Sequence, residues 1–177
     1  MESIFKMTAT QSPPSSLKLI GIGKTFKEEF CDMIGATQMF SDFEWRDIET
    51  LSGYMQAYEA SDGTALFREG DNGHYMCLIF RGKVDIYKED HHDKEKIVAI
   101  IGAGKTLGEM AIIDGEARSA TAIVSEPTTL AILTKDNFLR IANEKPPLAA
   151  KILLKIARLL SQRLRRTSGL LVDYLEY

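Results

Sequence analysis

Gly108-Glu109 and Arg118-Ser119 are the residues of this chain whose types and spacing could do chemistry. They bracket the run TLGEMAIIDGEARSATAIV, Thr106 to Val124. A carboxylate and a guanidinium stand nine positions apart, around an apolar stretch too short for an ordinary helix and an Asp114-Gly115 turn. A very short helix beginning at Gly108 exposes unpaired backbone N–H groups at its start. Gly108 has no side chain to block approach, so an anion can rest against those donors. Arg118, on the strand entered after the turn, can fold back and give two parallel hydrogen bonds to phosphate oxygens. Ser119 adds a hydroxyl and its own N–H. Glu109 repels phosphate, yet it can accept a hydrogen bond from a sugar hydroxyl beside one. A ribose carrying a small monoanionic phosphate matches this set, whereas a triphosphate calls for more positive charge or Mg²⁺. The plain alternative is an ion pair between Glu109 and Arg118 in a pocket that holds nothing.

Such a clasp needs elements to position it. Residues 1–23 contain TATQSPPSS, a Pro/Ser/Thr-rich piece read as a flexible leader. From Lys24, Phe26, Phe30, Met33 and Ile34 fall at helical spacing up to Gly35. A second helix carries Trp45, Ile48 and Leu51 on one side, with Ser41 or Asp42 placed to cap it. After Tyr54 the period changes to short runs of Val, Ile, Tyr and Phe between turn signals: MQAYEA, ALFRE, HYMCLIF, KVDIYK and KIVAII. Arg81-Gly82 is read as one of those turns. ARSATAIVS and TTLAILT resume strand character beyond the motif. Thr134 can cap the helix KDNFLRIANE, and a long helix follows from about Pro146 to Thr167, ended by Gly169. The expected fold is mainly β with flanking helices: a jelly-roll-like β-roll (double-stranded β-helix) with N-terminal helices, a short helix in the motif and a long C-terminal helix. The β-roll with its helices is assigned to residues 24–145, and the long helix and tail to 146–177.

The motif resembles the phosphate-binding cassette of the cyclic nucleotide-binding domain, shared by catabolite-activator-type regulators, kinase regulatory subunits and cyclic-nucleotide-gated channels. Gly108, Glu109, Met110, Ala111, Ile112 and Ile113 are followed by Arg118, Ser119, Ala120 and Thr121. Leu107 stands where the family has Phe. GTALFREGD and LIFRGKVDIYK are similar to the family's earlier strands, so the likeness covers roughly residues 34–167. It implies that Glu109 takes the ribose 2'-hydroxyl and Arg118 the cyclic phosphate. It further implies that Ser119 helps phosphate or base edge, and that Gly108 with the backbone of Met110 and Ala111 lines the cassette. Ser119 is compatible with cAMP or cGMP, and cAMP is the expected ligand. Arg163 and Thr167, on the long helix, are the base-contact candidates.

Other features narrow the field. Net charge is −3, which argues against a general nucleic-acid binder. No stretch approaches the ~18 apolar residues of a membrane span. Cys31 and Cys77 match no metal-ligand spacing and fit a reducing cytoplasm. His91-His92-Asp93 reads as a solvated hairpin tip, since adjacent histidines point apart and no third ligand lies nearby. GIGK and GAGKT lack phosphate-loop spacing, and no general base emerges, so the expectation is no enzyme, no metal and no cofactor. GLLVDYLEY is too short and acidic for a DNA-reading helix-turn-helix. The expectation is a stand-alone cyclic nucleotide receptor acting on a protein partner, with the long helix and its tail (Leu170, Leu171, Tyr174, Leu175) as the dimer or partner surface. Rival readings are the sensory fragment of a longer transcription factor or channel, a cyclic di-GMP receptor, and a ligandless scaffold.

Overall fold

The computed structural model describes residues 13–20, 24–89 and 94–175. Strand β1 (Lys18–Ile20) and two helices, α1 (Lys24–Gly35) and α2 (Trp45–Ser52), precede strands β2 (Gln56–Ala60), β3 (Ala65–Phe67), β4 (Tyr75–Glu89), β5 (Glu95–Gly102) and β6 (Thr106–Leu107). The short helix α3 (Met110–Ile113) leads into β7 (Thr121–Thr134), and α4 (Lys135–Glu144) and α5 (Pro146–Leu175) follow. All strands pair antiparallel in a seven-stranded sheet ordered β1-β2-β7-β4-β5, with β3 on β7 and β6 on β4. This is the expected β-roll with flanking helices.

The alternation of side chains along β4 divides the interior in two. Met76 and Leu78 face a core shared with the helices, where Phe30, Ile34, Phe40, Leu51, Ile141, Ile152 and Ile156 are buried. Tyr75, Cys77, Ile79 and Val84 face the inside of the roll with Leu66, Leu107 and Leu130. β7 divides in the same way, Ala131 and Leu133 to the helices and Leu130 and Ile132 to the roll.

Several local expectations are corrected. Arg81-Gly82 is not a turn: β4 runs through it, paired with β7 from Tyr75↔Thr134 to Tyr87↔Thr121. The register shifts on either side of Arg81, so Gly82 is a bulge. Its φ is 90°, and a Cβ there would come within 2.5 Å of the Pro127 carbonyl, which only glycine avoids. Pro127 lies in the same irregularity, between Glu126↔Lys83 and Thr129↔Arg81, so its missing N–H interrupts no rung to β4. β7 is therefore one strand rather than two. The leader contributes a strand as well, β1 (Lys18–Ile20), which pairs with β2, and Leu17 beside it is buried.

Glu44, not Ser41 or Asp42, occupies the N-cap of α2, without a side-chain cap bond. Asp42 pairs instead with Lys155 of α5 at 2.6 Å. The Thr134 cap is as expected, its hydroxyl accepting from the Asn137 N–H at 3.2 Å. Gly169 does not end α5, which continues to Leu175. One interior glycine costs a helix about 1 kcal/mol, and Leu170 and Leu171 favour its continuation. His91-His92-Asp93 and the side chains of Tyr174 and Leu175 lie outside the described residues. Among the described residues, no helix is long and apolar enough to cross a membrane, and no group of three His, Cys, Asp or Glu could hold a metal ion.

Candidate functional site

The motif folds as a strand end, a glycine hinge and one turn of helix. β6 pairs with β4 through Cys77↔Leu107 and Leu78↔Thr106, which fixes Thr106 and Leu107 in the roll. Gly108 follows with φ 77°, a left-handed conformation that turns the chain into α3. Its missing Cβ matters separately, because one would sit 2.5 Å from Arg118 Nη1 and 3.2 Å from the Tyr75 carbonyl. α3 begins at Met110, two residues after Gly108, and closes with Ile112 N–H donating to the Glu109 carbonyl at 3.2 Å. Gly73 packs against this turn so closely that a Cβ would fall 2.2 Å from that of Ala111. The return to β7 is held by Arg118 N–H donating to the Asp71 carbonyl at 2.8 Å and by Gly70 N–H donating to the Arg118 carbonyl at 2.9 Å.

These elements enclose a cavity of about 220 Å³, several times the ~30 Å³ share of a water molecule. Gly108, Glu109, Met110, Ala111, Arg118 and Ser119 all line it, as does Arg163 from α5. Apolar residues line it too: Ala99 and Ile101, alternate residues of β5, with Ile86 and Phe67. Both charges sit deep, Glu109 at 1% and Arg118 at 5% exposure. Thr167, one turn beyond Arg163, is exposed and does not line the cavity.

Glu109 and Arg118 are not paired with one another. Arg118 donates from Nη1 to the Gly108 carbonyl at 3.1 Å and from Nη2 to the Tyr75 carbonyl at 2.7 Å. Its guanidinium carbon lies 4.1 Å from the centre of the Phe67 ring and 4.6 Å from that of Tyr75. Burial lowers its pKa. Glu109 Oε1 instead accepts from Arg163, whose other Nη donates to the Thr106 carbonyl at 2.7 Å. Arg163, read from sequence as a base contact, thus lies in the site but holds the acid. Burial pushes the Glu109 carboxyl above its ordinary range, and Arg163 and then its own backbone N–H and Arg118 oppose the rise. Burial likewise pushes the Cys77 thiol, behind the site, up to about 12, so it stays a neutral packing group.

Two polar atoms of the pair keep no protein partner: Glu109 Oε2 and Arg118 Nε. Both residues line the cavity, and an unused donor and an unused acceptor on side chains of opposite charge suit a ligand that carries both an anion and a hydroxyl. Sequence reasoning missed Phe67, Tyr75, Gly73 and the Thr106 carbonyl. Phe67 and Tyr75 read as ordinary strand aromatics, and a carbonyl acceptor leaves no trace in residue type. Gly73 was legible only as part of the turn Gly70-Asp71-Asn72-Gly73.

Comparison with known proteins gives the same picture. The model of the cyclic nucleotide-binding domain matches residues 58–145. A cyclic nucleotide-binding domain from Methylobacillus flagellatus, known from its crystal structure, is 32% identical, covers 90% of this chain and 89% of its own, and superposes with a TM-score of 0.78. The cyclic AMP receptor protein of Thermus thermophilus is 29% identical over 139 residues, 78% of this chain. The match spans 62% of that receptor's own length. A cAMP-dependent protein kinase regulatory subunit of Debaryomyces hansenii is 27% identical over 121 residues, 67% of this chain and 26% of its own. With one such domain 32% identical across 90% of this chain, and the family's model matched over residues 58–145, the chain belongs to the cyclic nucleotide-binding domain family.

Proposed function

We infer that this chain is a non-catalytic cyclic nucleotide receptor, with cAMP as its ligand, and that its C-terminal helices report occupancy to a partner protein. The observation that supports this is the pair of unpartnered buried atoms, Glu109 Oε2 and Arg118 Nε, on two residues that line one cavity. In this reading the ribose 2'-hydroxyl donates to Glu109 Oε2 while Arg118 Nε–H donates to the ring phosphate. Ser119 adds its hydroxyl at the phosphate or base edge, and the backbone of Gly108, Met110 and Ala111 receives the anion. The base lies toward the apolar β5 wall and α5. Each group is then satisfied without water entering the roll.

Arg163 supplies a route from ligand to surface. It belongs to α5 and holds the same carboxylate that accepts the ribose, so filling the cavity changes what fastens the helix to the roll. Beyond Leu160 the described residues of α5 are exposed, including Leu164, Leu170, Leu171 and Val172. Leu153, Ala157, Leu160, Leu164, Thr167 and Leu171 recur at alternating spacings of four and three, a seam suited to a second copy of the helix. Buried, unbridged Cys31 and Cys77 accord with a reducing cytoplasm.

Titration calorimetry with cAMP, cGMP and cyclic di-GMP tests the assignment. Tightest binding of cAMP is expected. Binding of the dinucleotide with neither mononucleotide would overturn the ligand, and silence with all three would overturn the receptor. Light scattering on the wild type and on Leu164→Asp tests the seam, with a dimer expected for the first and a monomer for the second.

A further inference from the structure

Arg118 is a cation taken out of water with no carboxylate in contact with it; Asp71 and Glu109 act on it only through space. It is 5% exposed, and among the described residues no carboxylate forms an ion pair with it. A buried charge in that position ordinarily demands a counter-ion. Here two ring faces stand where the acid would be. The guanidinium carbon is 4.1 Å from one ring centre and 4.6 Å from the other, and the rings of Phe67 and Tyr75 meet edge to face at 6.4 Å and 66°. The cation therefore occupies the corner between them. Tyr75 is locked in place by its hydroxyl, which donates to the carbonyl of Leu66, the neighbour of Phe67 on β3. Gly108 completes the corner, since any side chain there would strike Nη1.

The electrostatics distinguish this corner from an ion pair. An aromatic face attracts a cation through its quadrupole but carries no net charge. A carboxylate in the same place would hold Arg118 too, but it would repel an incoming phosphate and compete with it for the guanidinium. Two rings and two carbonyls fix the group and leave its full charge unspent. Nε, on the edge they do not use, is the atom without a partner.

The geometry points to Phe67 and Tyr75 as positioning residues of the phosphate site: their ring faces hold the Arg118 guanidinium in place of a counter-ion and reserve its charge for the phosphate of the ligand. The inference rests on the cyclic nucleotide reading above, and it adds two residues from outside the Gly-Glu/Arg-Ser motif.

The test compares cAMP with adenosine, which has the base and ribose but no phosphate, on the full 177-residue chain. Phe67→Leu keeps apolar bulk and removes one ring; it should weaken cAMP about five- to thirty-fold, the equivalent of ~1–2 kcal/mol for a desolvated cation–π contact. Adenosine affinity should fall by clearly less than cAMP affinity, and Phe67→Tyr, which restores a ring, should return cAMP binding to within about three-fold of wild type. Equal losses for cAMP and adenosine, or unchanged cAMP binding in Phe67→Leu, would overturn the role. A second readout needs no ligand and no variant of Phe67. In wild-type protein the side-chain N–H resonance of Arg118, identified by its loss in Arg118→Lys, should be shifted upfield by the two rings, and an unshifted resonance would sink the proposal even where Phe67→Leu does not fold. A wild-type chain that binds neither ligand overturns the receptor reading and this role together. Normal wild-type binding with an indifferent Phe67→Leu overturns this role alone.

Discussion

The two charged walls of the cavity are built on opposite plans. Arg118 is held wholly by the roll: its acceptors are carbonyls of Gly108 and Tyr75, and its neighbours are rings on β3 and β4. Glu109 is held from outside the roll, by a side chain of α5 that is itself 42% exposed. One wall belongs to the roll alone, while the other is shared with an element whose buried side chains, among the described residues, lie in its first half and which reaches the site through Arg163. On the receptor reading proposed above, a wall borrowed from a helix would tie the ligand to the surface of the protein, as two walls of the roll alone would not.

Four substitutions sharpen or break that contrast. The largest effect is expected at the roll's own wall, where Arg118→Ala should weaken cAMP by about 1.5–3 kcal/mol, read by calorimetry, through loss of a charge-assisted contact. Normal binding would remove Arg118 from the site. Gly108→Ala comes next. It forces a side chain into a left-handed backbone and against Nη1, and should lower stability by about 1–3 kcal/mol in denaturant unfolding, with weaker binding alongside.

At the shared wall the effects are smaller and different in kind. Glu109→Gln keeps shape and one acceptor, so cAMP binding should fall by about 1 kcal/mol. Its signature is in pH. Because burial raises the Glu109 pKa in the folded state, the native protein binds that proton more tightly than the unfolded chain does. This contribution is present at low pH and is lost as pH climbs from about 4 through the raised value. Melting curves of Glu109→Gln should lack that decline, so its advantage over wild type should grow toward neutral pH; parallel curves would show that Glu109 carries no such burden. Arg163→Ala should cost least, about 0.5–1 kcal/mol in cAMP binding, as expected for a pair with one exposed member. Hydrogen exchange should nevertheless quicken in the distal part of α5, and protection equal to wild type would contradict the shared wall.

Much of this was legible in the sequence. Helical and strand periods located α2, α4 and β2, because each buries one face and exposes the other, while β5 was located by its run of β-branched residues although it is largely exposed. The cassette was legible because its chemistry is local: Gly108, Glu109, Arg118 and Ser119 lie within a dozen positions. What escaped depends on contacts between distant residues. Gly82 and Pro127 carry ordinary turn chemistry, and only their opposition across the β4–β7 ladder makes them a shared bulge. β6 is two residues long, below the length at which alternation can be seen. Phe67 and Tyr75 were invisible as site residues, since nothing in an aromatic strand residue announces that a cation from β7's approach will lie against it.

The ladder between β4 and β6 gives these walls a common footing. Tyr75, whose carbonyl receives Arg118, begins β4, and Thr106, whose carbonyl receives Arg163, begins β6; the rungs Cys77↔Leu107 and Leu78↔Thr106 join them. Arg118 thus hangs on β4 two residues before the Cys77↔Leu107 rung, and Arg163 on β6 at the Leu78↔Thr106 rung. On the receptor reading proposed above, a shift of this short ladder would alter the grip on the phosphate and the seat of the helix together.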